Sequence, residues 1–235
     1  MAAEVSRLGS VFSAASGTTG LIPFITAGYP SIDGSLELLQ ALDRPGVLAL
    51  EIGIPFSDPI ADGPEIQRAS EWALRSGVGA KEVLGLVTRF RRDSHQPVVL
   101  MTYANPVLRR GIESFARAAR DAGVDGIILS DLPPDESPDV WEGLDRAGLD
   151  TIVLVAPTTD AARLPRLLDR ARGFVGRQVG DDDAVHPSFA RRASERLDPV
   201  PEHRVDIGHE DHRLPRAAAE PRHQPEGLHR PHALS

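Results

Sequence analysis

The strongest constraint on the fold is an alternation that runs through residues 1–175. Short, nearly continuous apolar runs rich in Ile, Val and Leu are separated by amphipathic stretches. The runs are "GLIPFITAG" (20–28), "GVLALEIGI" (46–54), "PVVLMTY" (97–103), "VDGIILSD" (124–131) and "DTIVLVAP" (150–157), and "FV" (174–175) opens a sixth. Runs of this kind suit strands buried on both faces, which means a parallel sheet covered by helices. The stretches between them read as helices over 31–44, 64–77, 80–94, 111–123, 138–148 and 160–173. Leu36, Leu39 and Leu42 mark helical spacing in the first, and Val83, Leu84, Val87 and Phe90 mark it in the third. Strand and helix alternating in this way indicate βα units. Each run ends in a polar or Gly/Pro-rich loop. That layout predicts an α/β fold of the (β/α)8 TIM-barrel type, which builds its site from the loops after the strands. A doubly wound open sheet is the alternative, but no GxGxxG follows the first run.

At residue 176 the pattern stops. Residues 176–235 carry seven of the eight histidines and seven prolines, and no lysine. Their apolar residues are single and scattered, with neither a two-residue nor a 3.6-residue period. Such a segment buries too little surface to offset the entropy of ordering it, so disorder is expected. The expected organisation is a partial barrel domain over 1–175, with about six of eight strands encoded, and an unrelated tail over 176–235. Enrichment in Arg, Ala, Pro, His, Asp and Gly is also what an out-of-frame reading of a GC-rich gene gives. A frameshift near codon 176 is therefore expected.

Composition narrows the function classes. The chain has no cysteine, which excludes disulfides and thiolate metal sites. A net charge of −8 argues against a nucleic-acid partner. No run reaches the ~18 apolar residues of a membrane helix, and the N-terminus lacks the apolar core of a signal peptide. A cytoplasmic protein is expected. His95 stands alone in residues 1–175 and the tail histidines match no defined spacing, so no metal site is expected.

The chemistry concentrates in "LEIGIPFSDPIADGP" (50–64), which starts as a buried strand and places Glu51 inside the apolar run. At the C-terminal end of a barrel strand, a carboxyl flanked by Leu50 and Ile52 is desolvated. Its pKa rises, and it can trade a proton near neutral pH. A Glu satisfied by backbone N–H groups or an arginine is the structural alternative. Asp62, taken alone, reads more readily as turn chemistry or as a cap for the helix near Pro64. Asp58 has an equally ordinary reading in "SDP". Phe24 and Tyr103 end strands one and three, where aromatics are usually core. Ordinary turns explain Asn105-Pro106 and the loop at 131–134.

In combination these pieces say more. "LIPFITAGYP", "LEIGIPFSDPIADGP", "MTYANPV", "GVDGIILSDLPPDE" and "APTT" occur in this order over roughly residues 18–175. Together they closely resemble the tryptophan synthase alpha chain family. The resemblance implies a (β/α)8 barrel and a lyase of tryptophan biosynthesis. The implied reaction is retro-aldol cleavage of indole-3-glycerol phosphate to indole and glyceraldehyde 3-phosphate, with no cofactor. It also implies a tryptophan synthase β subunit as partner, in an α2β2 tetramer, with no nucleic-acid or membrane partner. Carried over by resemblance, Glu51 is the general acid/base and Asp62 the carboxylate that holds the indole N–H. Phe24, Met101, Tyr103 and Leu129 line the indole pocket, and Pro55 and Asp58 face the β subunit.

The resemblance ends near residue 175. The family continues into a "GVTG" lid and two further βα units, which grip the substrate phosphate through backbone N–H groups at a helix N-terminus. Residues 176–235 match neither, so this chain is expected to turn over little substrate. A fragment that only binds a β subunit, or a non-functional product, is the alternative.

Overall fold

Six parallel strands follow one another in sheet order exactly as in sequence: β1 (Phe24–Thr26), β2 (Leu50–Gly53), β3 (Val98–Thr102), β4 (Gly126–Leu129), β5 (Asp150–Val155) and β6 (Phe174–Arg177). Each pairs with its immediate successor, with no reversal of order. That is the wall of a βα barrel and not a doubly wound sheet, which needs a switch point. The structure is a computed structural model and describes residues 6–15, 19–60, 62–156, 158–177 and 191–192. All of these belong to the first of two compact units, Met1–Arg196; the second, Leu197–Ser235, lies outside the described residues.

Parallel strands expose alternate side chains to opposite faces, and the burial pattern divides accordingly. Leu50 and Ile52, Val98 and Leu100, Ile127 and Leu129, and Val153 and Val175 belong to the core under the helices. The other parity forms a second, interior cluster from Ala49, Val99, Ile128, Ile152 and Phe174, with Ile22, Met101 and Leu154 packed against it. The outer layer consists of α2 (Ile32–Leu42), α3 (Pro64–Arg75), α4 (Ala80–Phe90), α5 (Ala104–Arg110), α6 (Ile112–Ala122), α7 (Pro138–Arg146) and α8 (Leu164–Arg170). Each presents an apolar face inward, such as Val83, Leu84, Leu86, Val87 and Phe90 of α4. The helix expected over 111–123 ends at Gly123, whose φ of 94° supplies the left-handed cap.

Two helices were not expected. The first is α1 (Arg7–Ala14), capped by the Ser6 side chain, which accepts from the Gly9 N–H at 3.0 Å. Its Leu8 and Phe12 close the N-terminal end of the interior. The Phe12 ring stacks on Phe174 at 5.0 Å between centroids. Leu8 packs over Gly126, where a Cβ would stand 2.9 Å from its Cδ1. The second is α5. The Asn105-Pro106 segment read as a turn is helical, because Pro106 falls in the first turn, where its missing N–H costs nothing.

A buried carboxylate ties this end together. Asp125, 5% exposed, accepts from the Val98 N–H at 2.8 Å, from Arg91 at 2.6 Å and from Arg7 at 2.5 Å. It therefore joins β3, α4 and α1 to the start of β4. Burial raises the Asp125 pKa and the two guanidinium groups lower it, with burial the larger influence.

The tail expected over 176–235 lies almost wholly outside the described residues. Two pieces are described. Residues 176–177 continue β6, and Arg191–Arg192 form a short strand, β7, antiparallel to Phe174–Val175. No helix among the described residues is long and apolar enough to cross a membrane.

Candidate functional site

The C-terminal ends of β1 to β4 surround one small interior space. Register aligns Phe24 with Glu51 and Glu51 with Val99. Since Val99 belongs to the interior cluster, Glu51 shares that face. Leu50 and Ile52 on either side turn outward into the helix-facing core. The apolar run of β2 is thus a strand buried on both faces, with one acidic side chain on its inner face. Burial pushes the Glu51 carboxyl from an ordinary 4.5 up to about 7. Among the described residues, no hydrogen bond or ion pair reaches it. The alternative in which an arginine satisfies Glu51 is not what the structure contains.

Asp62 arrives on the loop between β2 and α3. It does not cap α3: the N-cap is Gly63, which makes no side-chain bond. Its carbonyl oxygen accepts from Gln67 Nε2 at 2.8 Å. Its carboxylate turns inward, and Oδ2 accepts from the Tyr103 hydroxyl at 3.2 Å. Burial raises the Asp62 pKa and the Tyr103 hydrogen bond lowers it, with burial the larger influence. The Phe56 ring, from the same loop, stacks on Tyr103 at 4.7 Å and 21°.

The space beside these groups is about 10 Å3, lined by Phe24, Thr26, Asp62, Met101, Tyr103 and Ser130 among others. That is room for about one water, so an aromatic ligand enters only if the loop carrying Phe56 and Asp62 shifts. Gly53 permits the tight closure: a Cβ there would stand 2.6 Å from the Phe24 ring.

The structure brings Asp62, Phe24, Met101 and Tyr103 to the lining of this space, and Glu51 shares the inner face of the sheet through its register with Phe24 and Val99. It does not bring Leu129 to them. Leu129 lies in the helix-facing core and lines a separate cavity of about 200 Å3 beside Leu132 and Trp141. The cause is strand alternation: in β4 the inward residues are Gly126 and Ile128, followed by Ser130, so Leu129 is one position out of phase. The same alternation in β1 turns Thr26 inward with Phe24. Sequence reasoning missed Thr26, Ile128 and Ser130, and counting by twos from Phe24 and Gly126 finds them. Pro55 is buried in a groove of about 510 Å3 with Ile54, Phe56, Asn105, Pro106 and Arg109. Asp58 is exposed and accepts from the Ser57 hydroxyl at 2.7 Å. Among the described residues, no group of His, Cys, Asp and Glu has metal-site geometry.

Comparison with known proteins gives the same answer from several directions. The family model for the tryptophan synthase alpha chain matches residues 12–179. The tryptophan synthase alpha chain of Burkholderia thailandensis is 51% identical over 174 residues, 73% of this chain and 64% of that protein. That of Paraburkholderia phymatum is 49% identical over the same span. Among solved structures, the alpha subunit from Legionella pneumophila strain Paris superposes with a TM-score of 0.71 at 39% identity, covering 74% of this chain and 68% of that one. The tryptophan synthase complex from Pyrococcus furiosus gives 0.65 at 43% identity, covering 68% and 65%. The chain spans about 64% of the length of the curated relatives it matches. Six parallel strands in sequential order with helices between them, a carboxylate at Glu51 on their inner face, and a family match over residues 12–179 make this chain a member of the tryptophan synthase alpha chain family.

Proposed function

We propose that this chain carries the acid–base half of an indole-3-glycerol phosphate lyase site, acting in the cytoplasm beside a tryptophan synthase β subunit. The single observation that carries the reading is the Glu51 carboxyl. It is part-buried on the barrel's inner face, has no partner among the described residues, and loss of hydration pushes its pKa up to about 7. A group with that pKa is present in both forms at neutral pH and can act as acid and base in one cycle. Cleaving the C–C bond needs a proton delivered to the indole ring carbon and one removed from the side-chain hydroxyl; Glu51 is assigned both. As the ring carbon is protonated, positive charge develops on the ring nitrogen. Asp62 is assigned the N–H, where a carboxylate stabilises that charge. Proton transfer alone suffices, so no cofactor is invoked.

The second half of the site, the phosphate grip, belongs in the family to the final βα units. The family match stops at residue 179. Binding energy from the remote phosphate drives chemistry at the reacting centre, so its loss lowers turnover and not affinity alone. We expect indole release from the purified 235-residue chain at least roughly a hundredfold below that of a full-length relative, with Glu51→Gln removing what remains. A rate matching the relative overturns the impairment. A residual rate that survives Glu51→Gln overturns the assignment of Glu51.

One observation favours a binding role in parallel. The groove beside Pro55 joins the β2–α3 loop to α5 and is largely apolar, with Arg109 on its rim. It supports β-subunit docking without catalysis. Co-purification of the chain with a β subunit, undiminished by Glu51→Gln, is the expected outcome. Failure to co-purify removes this reading.

A further inference from the structure

We propose that Tyr103 is a positioning residue for Asp62, selecting which carboxylate oxygen faces the substrate, rather than a wall of the indole pocket. The inference rests on the reading that Asp62 receives the indole N–H, and adds to it.

The described residues between Gly53 and Pro64 form neither helix nor strand, so no regular backbone fixes the χ1 and χ2 of Asp62. A carboxylate on such a loop rotates freely unless something rigid holds one oxygen. Tyr103 is rigid. It directly follows β3, serves as the N-cap position of α5, and is 4% exposed. Its hydroxyl donates to Asp62 Oδ2 at 3.2 Å, which leaves Oδ1 as the freer acceptor. The ring cannot swing away without unstacking from Phe56, whose centroid lies 4.7 Å off in near-parallel orientation. Phe56 and Asp62 sit on the same loop. The loop therefore meets Tyr103 at two points, by its ring face and by its hydroxyl, and the geometry of Asp62 is set by that pair of contacts.

The hydrogen bond also has a chemical sense. A hydroxyl donor favours the ionised carboxylate, while burial favours the neutral acid. The ionised form is the stronger acceptor of an N–H, so the contact that orients Asp62 also favours the state that binds best.

The chain has two tyrosines, Tyr103 and the half-exposed Tyr29, which makes a clean test available. With 3-fluorotyrosine incorporated, 19F NMR resolves both in the full chain. The Tyr103 resonance is expected to shift as pH is raised through the titration of the Asp62 carboxyl, and to lose that shift in Asp62→Asn, while Tyr29 follows neither. A Tyr103 resonance that ignores Asp62→Asn overturns the proposal. Indole binding supplies the functional arm. Tyr103→Phe should weaken indole roughly two- to tenfold, the range of one hydrogen bond, and should have no further effect in an Asp62→Asn background. An equal loss in both backgrounds makes Tyr103 a wall and overturns the positioning role. If Asp62→Asn leaves indole affinity unchanged while the 19F coupling is present, the substrate role of Asp62 fails and the tyrosine contact stands, so the two failures are distinct.

Discussion

At the scale of single residues, Glu51 is the most informative side chain and also a cost to folding. Desolvation in the fold pushes its carboxyl from an ordinary 4.5 up to about 7. A raised folded pKa means that the native state holds the proton over that window while the unfolded state has released it. Stability therefore falls as pH climbs from about 4.5 to about 7, and the full penalty persists above. The shift corresponds to a penalty on the order of 3 kcal/mol. Glu51→Gln keeps the shape and removes the charge. The variant is expected to match the wild type near pH 4.5 and to exceed it at pH 8 by a few kcal/mol in urea unfolding. Burial also raises the pKa of Asp125, Asp145 and Asp150, so the wild-type profile alone sums several groups. The difference between the two proteins isolates Glu51. A variant no more stable than wild type at pH 8 shows that position 51 is well solvated and ends the acid–base argument. This residue was legible in the sequence because a charge in the middle of an apolar run has few explanations. Asp62 was legible only by resemblance, since "ADGP" is ordinary turn chemistry; what distinguishes it is Tyr103, 41 positions away. Leu129 was misplaced by a single residue because a fully apolar strand gives no alternation to fix its phase.

At the scale of elements, strands and most helices followed from periodicity, while α1 and α5 did not. Periodicity reads core-facing stripes, and α5 is a seven-residue helix with two buried side chains, Ala104 and Val107. Its start is fixed from a distance. Asp131, just beyond β4, accepts from the Ala104 N–H at 2.7 Å and so joins the β4 loop to the first turn of α5. A cap supplied by a residue 27 positions later leaves no local trace. The "SDLPPDE" loop that looked like plain turn chemistry thus holds a neighbouring element in place. Asp131→Ala should cost about 1 kcal/mol of stability, the usual value of a side-chain cap, and should speed amide exchange at Ala104 ahead of the β3 amides. A midpoint unchanged in urea, with exchange at Ala104 equally unchanged, would show that α5 is held by its apolar contacts alone. Because α5 also lines the groove beside Pro55, a loosened first turn should weaken β-subunit binding in the same variant.

At the scale of the whole molecule, two boundaries fall within residues 175–179. The composition changes after Val175, and the family match ends at residue 179. A domain junction rarely cuts a barrel between one strand and the next, because the interior there needs the following strand to cover it. Among the described residues, the partner on the outer side of β6 is Arg191–Arg192, and it runs antiparallel, against the direction a βα barrel requires. A reading-frame shift accounts for an abrupt change at an arbitrary point of a fold, since every codon beyond it changes at once and the composition follows base content and not packing. The expectation is that DNA downstream of about codon 176, read in one of the other two frames, encodes apolar runs alternating with amphipathic stretches. Two further βα units should appear there, including glycine- and serine-rich turns able to hold a phosphate. A chain rebuilt in that frame should release indole at least roughly a hundredfold faster than the 235-residue chain. Should neither frame continue the alternation, the tail is native to this gene. The barrel would then have to be completed by another route, and the antiparallel β7 would become the first place to look for it.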